Sequence, residues 1–159
     1  MRKELKAREG FTLIELMIVI AVIGILAAVL IPYTFRAQDR ARETGVINAA
    51  RAIQTGLELY ASNRTKAPWY PQSATDITGP SSTALATLIS PAPKNPFNGE
   101  PYLEVIAPIP GTATQFILGG TSTTNENGVI VYETDGNSYT LTPYGANRIL
   151  SNNILTGGR

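Results

Sequence analysis

Residues 10 to 32 read GFTLIELMIVIAVIGILAAVLIP, and this stretch decides the fold of the 159-residue chain. The sixteen residues from Leu16 to Ile31 include no polar side chain. Counted from Phe11, the block to Ile31 has 21 residues, which as a helix would rise roughly 30 Å. Because that length matches the hydrocarbon core of a bilayer, the sequence predicts one membrane-spanning helix.

The flank before the block predicts the orientation of that helix. Residues 1–10 carry four Lys/Arg and two Glu, and a positively charged flank stays in the cytoplasm. A cleaved secretory signal is a competing interpretation, but its apolar region would be shorter and a small-residue cleavage site would follow it. A buried core helix is disfavoured because the rest of the chain is too small to surround one. A plain signal anchor leaves Glu15 unexplained.

Glu15 is the one charged residue inside this block. No Lys or Arg lies between Phe11 and Phe35, so the span offers no cation to pair with it. An ionised carboxylate in the membrane costs about 2.5–3.5 kcal/mol on insertion scales, and such an acid indicates a functional site. A cut after Gly10 would create an α-amine on Phe11, one helical turn from Glu15 and within reach of a neighbouring copy. The alternative is a mildly unfavourable acid that is tolerated at the membrane edge.

Composition excludes several classes of site. The chain has no Cys and no His, which rules out a disulfide framework, a thiolate metal site and a Ser-His-Asp triad. The formal charge is +1, and the residues from Arg64 onward carry five Lys/Arg against six Asp/Glu, so we expect no binding of nucleic acid. No phosphate-binding glycine motif is present. We therefore expect no enzyme activity, no cofactor and no metal site.

The segment from Gly10 to Glu15, followed by the apolar run and Pro32, resembles the N-terminus of type IV pilins and type II secretion pseudopilins. The resemblance implies that residues 1–10 are a leader, cut after Gly10 by prepilin peptidase, and that Phe11 is then N-methylated. It implies that Glu15 neutralises the Phe11 amine of an adjacent subunit during assembly. It also implies that the helix loosens between Gly24 and Pro32 when packed in a filament.

The function implied by this resemblance is that of a type IV pilus subunit. Its partners would be copies of itself in a helical filament, prepilin peptidase, and an inner-membrane assembly platform with a separate ATPase motor. The chain would sit in the cytoplasmic membrane before assembly and in an extracellular pilus afterwards. Alternatives are the major pseudopilin of a type II secretion system, a competence or adhesive pilin, and a membrane-anchored enzyme. The chain departs from major pseudopilins, which carry an acidic calcium loop, because Thr121–Asn127 holds only Glu126. It also lacks the C-terminal cysteine pair common in many type IV pilins.

The middle of the chain divides into three regions. Residues 11–35 are the span, residues 36–62 continue as an amphipathic helix, and residues 63–101 form a Pro-rich connection. The amphipathic helix begins with a polar turn that includes Arg36, Arg40 and Glu43. Its apolar stripe repeats at steps of four and three, at Val46, Ala50, Ile53, Leu57 and Tyr60.

The Pro-rich connection allows one short helix, Ser82–Ile89, with Ser81 or Ser82 as its N-cap. The run Asn95–Gly99 is typical of a turn, and Asn63 matches the N-glycosylation pattern.

Residues 102–159 predict a small antiparallel sheet and a tail. Asp135-Gly136 predicts a two-residue hairpin turn that pairs Thr134 with Asn137 and Tyr132 with Tyr139. The apolar face of that hairpin would cover the stripe. After Tyr144, the pair Ile149-Leu150 could make one more edge contact, and residues 156–159 are expected to fray. The fold class is therefore α+β, a pilin-like ladle whose four predicted strands are Tyr102–Ala107, Gln115–Leu118, Val129–Thr134 and Asn137–Leu141.

Overall fold

The computed structural model describes residues 10–79, 82, 84–104, 106–109, 115–120, 127–146 and 148–159. The chain divides into two compact units, one up to Gln38 and the other from Asp39 to Arg159. Helix α1, Leu13–Ser62, is 50 residues long and contributes to both units. The sequence predicted a helix over residues 11–62, so α1 confirms the prediction, with a start two residues later than expected.

The first part of α1 is apolar and uncovered. Every large apolar side chain from Phe11 to Phe35 is at least 45% exposed. By length and composition, α1 is long and apolar enough to cross a membrane. The helix continues through Gly24 and through Pro32, which lies inside it, although a proline cannot donate the hydrogen bond to the carbonyl four residues earlier. Loosening at this segment concerns the assembled filament and stays a prediction.

The second part of α1 belongs to the unit from Asp39 to Arg159, which we call the head. One face of this part of the helix packs against the rest of the head. All five residues of the predicted stripe are buried, with exposures of 0–4%, which confirms it. Glu43, which the sequence placed in the polar turn, is also buried, at 8% exposure. Its carboxylate is held by Arg148, which lies 105 residues later in the chain.

The described part of the Pro-rich connection contains two short helices. The prediction missed α2, Ala74–Thr78, whose N-cap Ser73 accepts a hydrogen bond from the Asp76 N–H at 3.2 Å. The predicted helix Ser82–Ile89 is shorter, as α3, Leu85–Leu88. Capping by Ser82 is wrong because the N-cap is Ala84, with no side-chain cap, and Ser81 lies outside the described residues. The predicted turn at Asn95 is confirmed, since the Gly99 N–H donates to the Asn95 carbonyl at 2.8 Å.

Within the described residues, the sheet has five antiparallel strands, each paired with the next in chain order. The first predicted strand starts too early, because Tyr102 and Leu103 lie in a turn as fully buried core residues. The expected fraying of the tail is wrong, since residues 155–158 pair with residues 138–141. The Tyr144–Ile149 bridge confirms the extra edge contact. The strands are β1 Ile106–Pro108, β2 Gln115–Leu118, β3 Ile130–Thr134, β4 Ser138–Pro143 and β5 Leu155–Gly158.

The β3–β4 hairpin has a longer turn than predicted. Tyr132 pairs with Leu141 and Thr134 with Tyr139, a register shifted by two residues from the prediction. The cause is Asp135, whose Oδ1 accepts hydrogen bonds from the Asn137 and Ser138 N–H groups, while Gly136 adopts φ +88°. A shift of two keeps each side chain on its face, so the predicted apolar face still packs on the stripe.

Candidate functional site

The start of α1 is closed by a reciprocal pair of side chains. The Glu15 N–H donates to Thr12 Oγ1 at 3.3 Å, and Glu15 Oε2 accepts from the Thr12 N–H at 3.4 Å. The Thr12 hydroxyl also donates to Glu15 Oε2, at 3.2 Å. This is a capping box, which satisfies N–H groups that a helix start otherwise leaves unpaired. Thr12 was not among the predicted site residues, although a Thr three residues before a Glu at the start of an apolar run is a known signal.

The capping box places the carboxylate at the predicted cleavage point. Phe11 directly precedes Thr12. An α-amine created at Phe11 would therefore be one residue from the Thr12 N–H, which already donates a hydrogen bond to Glu15. Phe11 is 78% exposed and Gly10 is also exposed, which leaves the Gly10–Phe11 bond open to a protease. A charged amine at this position would interact with the Glu15 carboxylate more strongly than a neutral N–H does.

Around this carboxylate the helix offers only apolar surface. The side chains on the first turns of α1 are exposed, with Leu13 at 83% and Ile14 at 67%. No Lys or Arg follows until Arg36. Within the described residues, no group of three or more acids is placed to hold a metal ion. The arrangement supports helix packing and charge pairing between chains.

A second polar site lies inside the head, at Glu43. Its Oε1 accepts from Arg148 Nε at 3.0 Å and its Oε2 accepts from Arg148 Nη2 at 2.6 Å. The hydrogen bonds from Arg148 lower the pKa of Glu43; burial opposes this, and the charges of Arg148 and Arg40 and the Ala146 N–H support it. A Cβ at Gly145 would lie 2.6 Å from Glu43 Oε1, so only a glycine lets the backbone approach the carboxylate this closely.

Buried Asn95 ties three loops together. Its Nδ2 donates to the carbonyls of Gly119 at 3.0 Å and Asn127 at 3.1 Å. Its Oδ1 accepts from the Phe97 N–H at 2.9 Å. The sequence showed a turn here but not that one amide side chain would reach residues 24 and 32 positions away.

Asn63, the remaining predicted site residue, follows α1 directly. Its backbone N–H donates to the Leu59 carbonyl at 3.2 Å and its side chain is exposed. It lies in a different part of the chain from the Glu15 site, and its glycosylation stays a prediction.

The comparisons with known proteins agree with this geometry. The prokaryotic N-terminal methylation motif matches residues 5–31. The chain is 48% identical over 54 residues to a fimbrial protein of Pseudomonas aeruginosa, covering 34% of this chain and 35% of that protein. It is 60% identical over 63 residues to the type IV wide pilus major component PilA4 of Thermus thermophilus, covering 35% and 48%. No solved structure matches.

A longer similarity reaches into the head. The type II secretion system core protein G of Pseudomonas aeruginosa is 31% identical over 117 residues, covering 73% of this chain and 78% of that protein. Because this similarity spans more than two thirds of both proteins, it includes the head as well as the apolar helix. The chain therefore belongs to the superfamily of type IV pilins and type II secretion pseudopilins, and it is a pilin-like filament subunit.

Proposed function

We propose that this chain is the pilin of a type IV pilus, cut after Gly10 by prepilin peptidase and methylated on Phe11. One observation carries the proposal. The apolar side chains from Phe11 to Phe35 are uncovered in the single chain, and the described residues of the head have their own core. Such a helix must be covered by lipid or by copies of itself, since exposed apolar patches of this size mark membrane or protein interfaces.

Before assembly, the first part of α1 holds the chain in the cytoplasmic membrane. During assembly, the helices leave lipid and pack on each other, so apolar surface stays out of water at both stages. An assembly platform with a separate ATPase motor supplies the energy, and the chain itself has no enzymatic role. In the filament, Gly24 and Pro32 are the weakest helical positions between which the backbone loosens.

Glu15 sets the contact between neighbouring subunits in this proposal. Among the described residues of the single chain, its carboxylate is bound only to Thr12. In the filament the Phe11 amine of a neighbour becomes its counter-ion, which removes the cost of an unpaired acid among apolar helices.

Two substitutions separate the capping role of Glu15 from its charge. Glu15→Gln keeps the capping box, since Gln serves at that position as well as Glu, but it removes the charge. Thr12→Ala removes the cap and keeps the charge. We expect both variants to be cut by prepilin peptidase in cells. Fibre yield, measured on sheared surface material, should fall at least tenfold in Glu15→Gln, equivalent to about 1.4 kcal/mol, and much less in Thr12→Ala. Normal fibre yield from Glu15→Gln would refute the charge-pairing proposal.

A major pseudopilin is the second candidate, favoured by the extent of the match to core protein G. The Thr121–Asn127 segment contains a single acid, Glu126, instead of an acidic calcium loop, and this counts against the pseudopilin. Deleting the gene distinguishes the two. Loss of long surface fibres supports the pilus, and loss of secreted enzymes with fibres intact supports the pseudopilus. Direct DNA binding by the protein would instead support a competence pilin.

A further inference from the structure

A polar cleft lies between α1 and the segment that follows β4. Its volume is about 320 Å³, at the lower end of the range of roughly 300–1,000 Å³ for small-molecule sites. One side is formed by α1 through Arg40, Thr44 and Ile47. The other side is formed by residues 148–153.

Several hydrogen-bond donors that line this cleft have no partner among the described residues. Arg40 is exposed, and within the described part of the chain its side chain forms no hydrogen bond or ion pair. The side chains of Ser151, Asn152 and Asn153 likewise have no partner among the described residues. Arg148 directs two N–H groups to Glu43 but is 64% exposed. These groups are donors suited to an oxygen-rich ligand.

The charge of the cleft is positive. It contains the cations Arg40 and Arg148 and the acid Glu43, so the net charge is +1. Arg148 binds both oxygens of Glu43. The charge of Arg40 also acts on Glu43, but within the described residues the Arg40 guanidinium forms no hydrogen bond or ion pair and can bind another group. A guanidinium with free N–H groups is well suited to a phosphate.

The position of Arg40 along α1 identifies the source of that phosphate. Arg40 follows Phe35, the last large apolar residue of the exposed run, by five residues, a rise of roughly 7.5 Å. The headgroup layer on one side of a bilayer is about 5–7.5 Å thick. The backbone of Arg40 therefore lies at the outer edge of the headgroup layer when the apolar part of α1 spans the hydrocarbon, and its long side chain can extend back to a phosphate.

We propose that this cleft binds the headgroup of an anionic phospholipid through Arg40 while the chain resides in the membrane. This inference rests on the membrane-anchored precursor of the proposed function. Binding would hold the head at the membrane surface until the subunit is withdrawn into a filament. Among the residues that the structure describes, the Arg40 side chain has no hydrogen bond or ion pair to give up on binding, and the neutral donors of Ser151 and Asn152 add to it.

The test uses the full-length, uncut chain in nanodiscs of equal parts phosphatidylglycerol and phosphatidylcholine. Native mass spectrometry measures which lipids remain bound to the chain after the chain is released from the nanodisc. We expect phosphatidylglycerol in excess, and Arg40→Gln should reduce that excess about fivefold. The matched control is Arg51→Gln, which removes an exposed arginine of the same helix that does not line the cleft. It should leave the excess unchanged.

Three results would overturn the inference. One is equal retention of both lipids by the unsubstituted chain. Another is an equal loss in Arg40→Gln and Arg51→Gln, which would show general charge attraction. The third is a rise in melting temperature with glycerol 3-phosphate alone that matches the rise with phosphatidylglycerol, because the ligand would then be a soluble phosphate ester. Lipid retention by the uncut chain tests this inference, whereas fibre yield tests the proposed function. Either one can therefore fail without the other.

Discussion

Replacing Glu43 by Gln tests the contact that holds the residues after β4 on helix α1. The substitution keeps the size of the side chain and removes its charge. Hydrogen bonds to charged groups contribute about 1.5–3 kcal/mol, but the Arg148 side chain is 64% exposed, so water weakens the pair. We expect Glu43→Gln to lower the free energy of unfolding of the head by about 1–2 kcal/mol. The melting temperature should fall by roughly 3–8 °C.

The assay is thermal unfolding of the full chain in detergent at pH 7, with Glu104→Gln as the control. Glu104 is exposed and forms no side-chain hydrogen bond or ion pair in the described part of the chain, so its substitution makes the same chemical change without losing a contact. A shift in Glu43→Gln no larger than in the control would refute the reasoning.

Acid pH gives a second test of the same pair. The hydrogen bonds from Arg148 hold the pKa of Glu43 below its ordinary value of 4.5 in the folded chain. The stabilisation is therefore fully present above that ordinary value, and it is lost as the pH falls through the lower, folded value. The difference in melting temperature between the unsubstituted chain and Glu43→Gln should shrink as the pH falls below 4.5. A difference independent of pH would mean that shape, and not charge, accounts for the effect.

Three further substitutions address other parts of the account. Asn95→Ala removes two donors and one acceptor from a buried site and should cost about 2–3 kcal/mol in urea unfolding; an unchanged midpoint would contradict the role of Asn95. Gly136→Ala places a Cβ 2.6 Å from Gln72 Nε2 at φ +88° and should lower stability by at least about 1 kcal/mol; a stability equal to that of the unsubstituted chain would show that the turn relaxes freely. Gly10→Leu should leave the leader attached, whereas Gly10→Ala should be cut; a free Phe11 terminus on the Leu variant, found by mass spectrometry, would contradict the cleavage site.

Local patterns were enough to predict the long helix. Hydropathy predicts the first part of α1 and a spacing of three and four predicts the second, because both depend on neighbours within two turns. Strand β2 was predicted with its bounds for a similar reason, since the apolar residues Phe116–Leu118 directly precede the turn signal Gly119-Gly120. The capping box formed by Thr12 and Glu15 also depends on residues three apart. It could have been predicted from the sequence but was not.

Contacts between distant residues account for what the sequence did not predict. Glu43 and Arg148 are 105 residues apart, and neither carries a local sign of its partner. Strand β5 contains Thr156-Gly157-Gly158, which has low strand propensity and forms a strand because β4 offers it an edge. The hairpin register depended on whether the Asp135 side chain would bond to the backbone and lengthen the turn, and dipeptide statistics do not decide that.

N-terminal mass analysis of fibres sheared from cells tests the central claim most directly. We predict that the subunit in the fibre begins at Phe11, that its α-amine carries a methyl group, and that residues 1–10 are absent. Fibres made of chains that still begin at Met1 would contradict the account, and so would a processed chain that never leaves the membrane to form fibres.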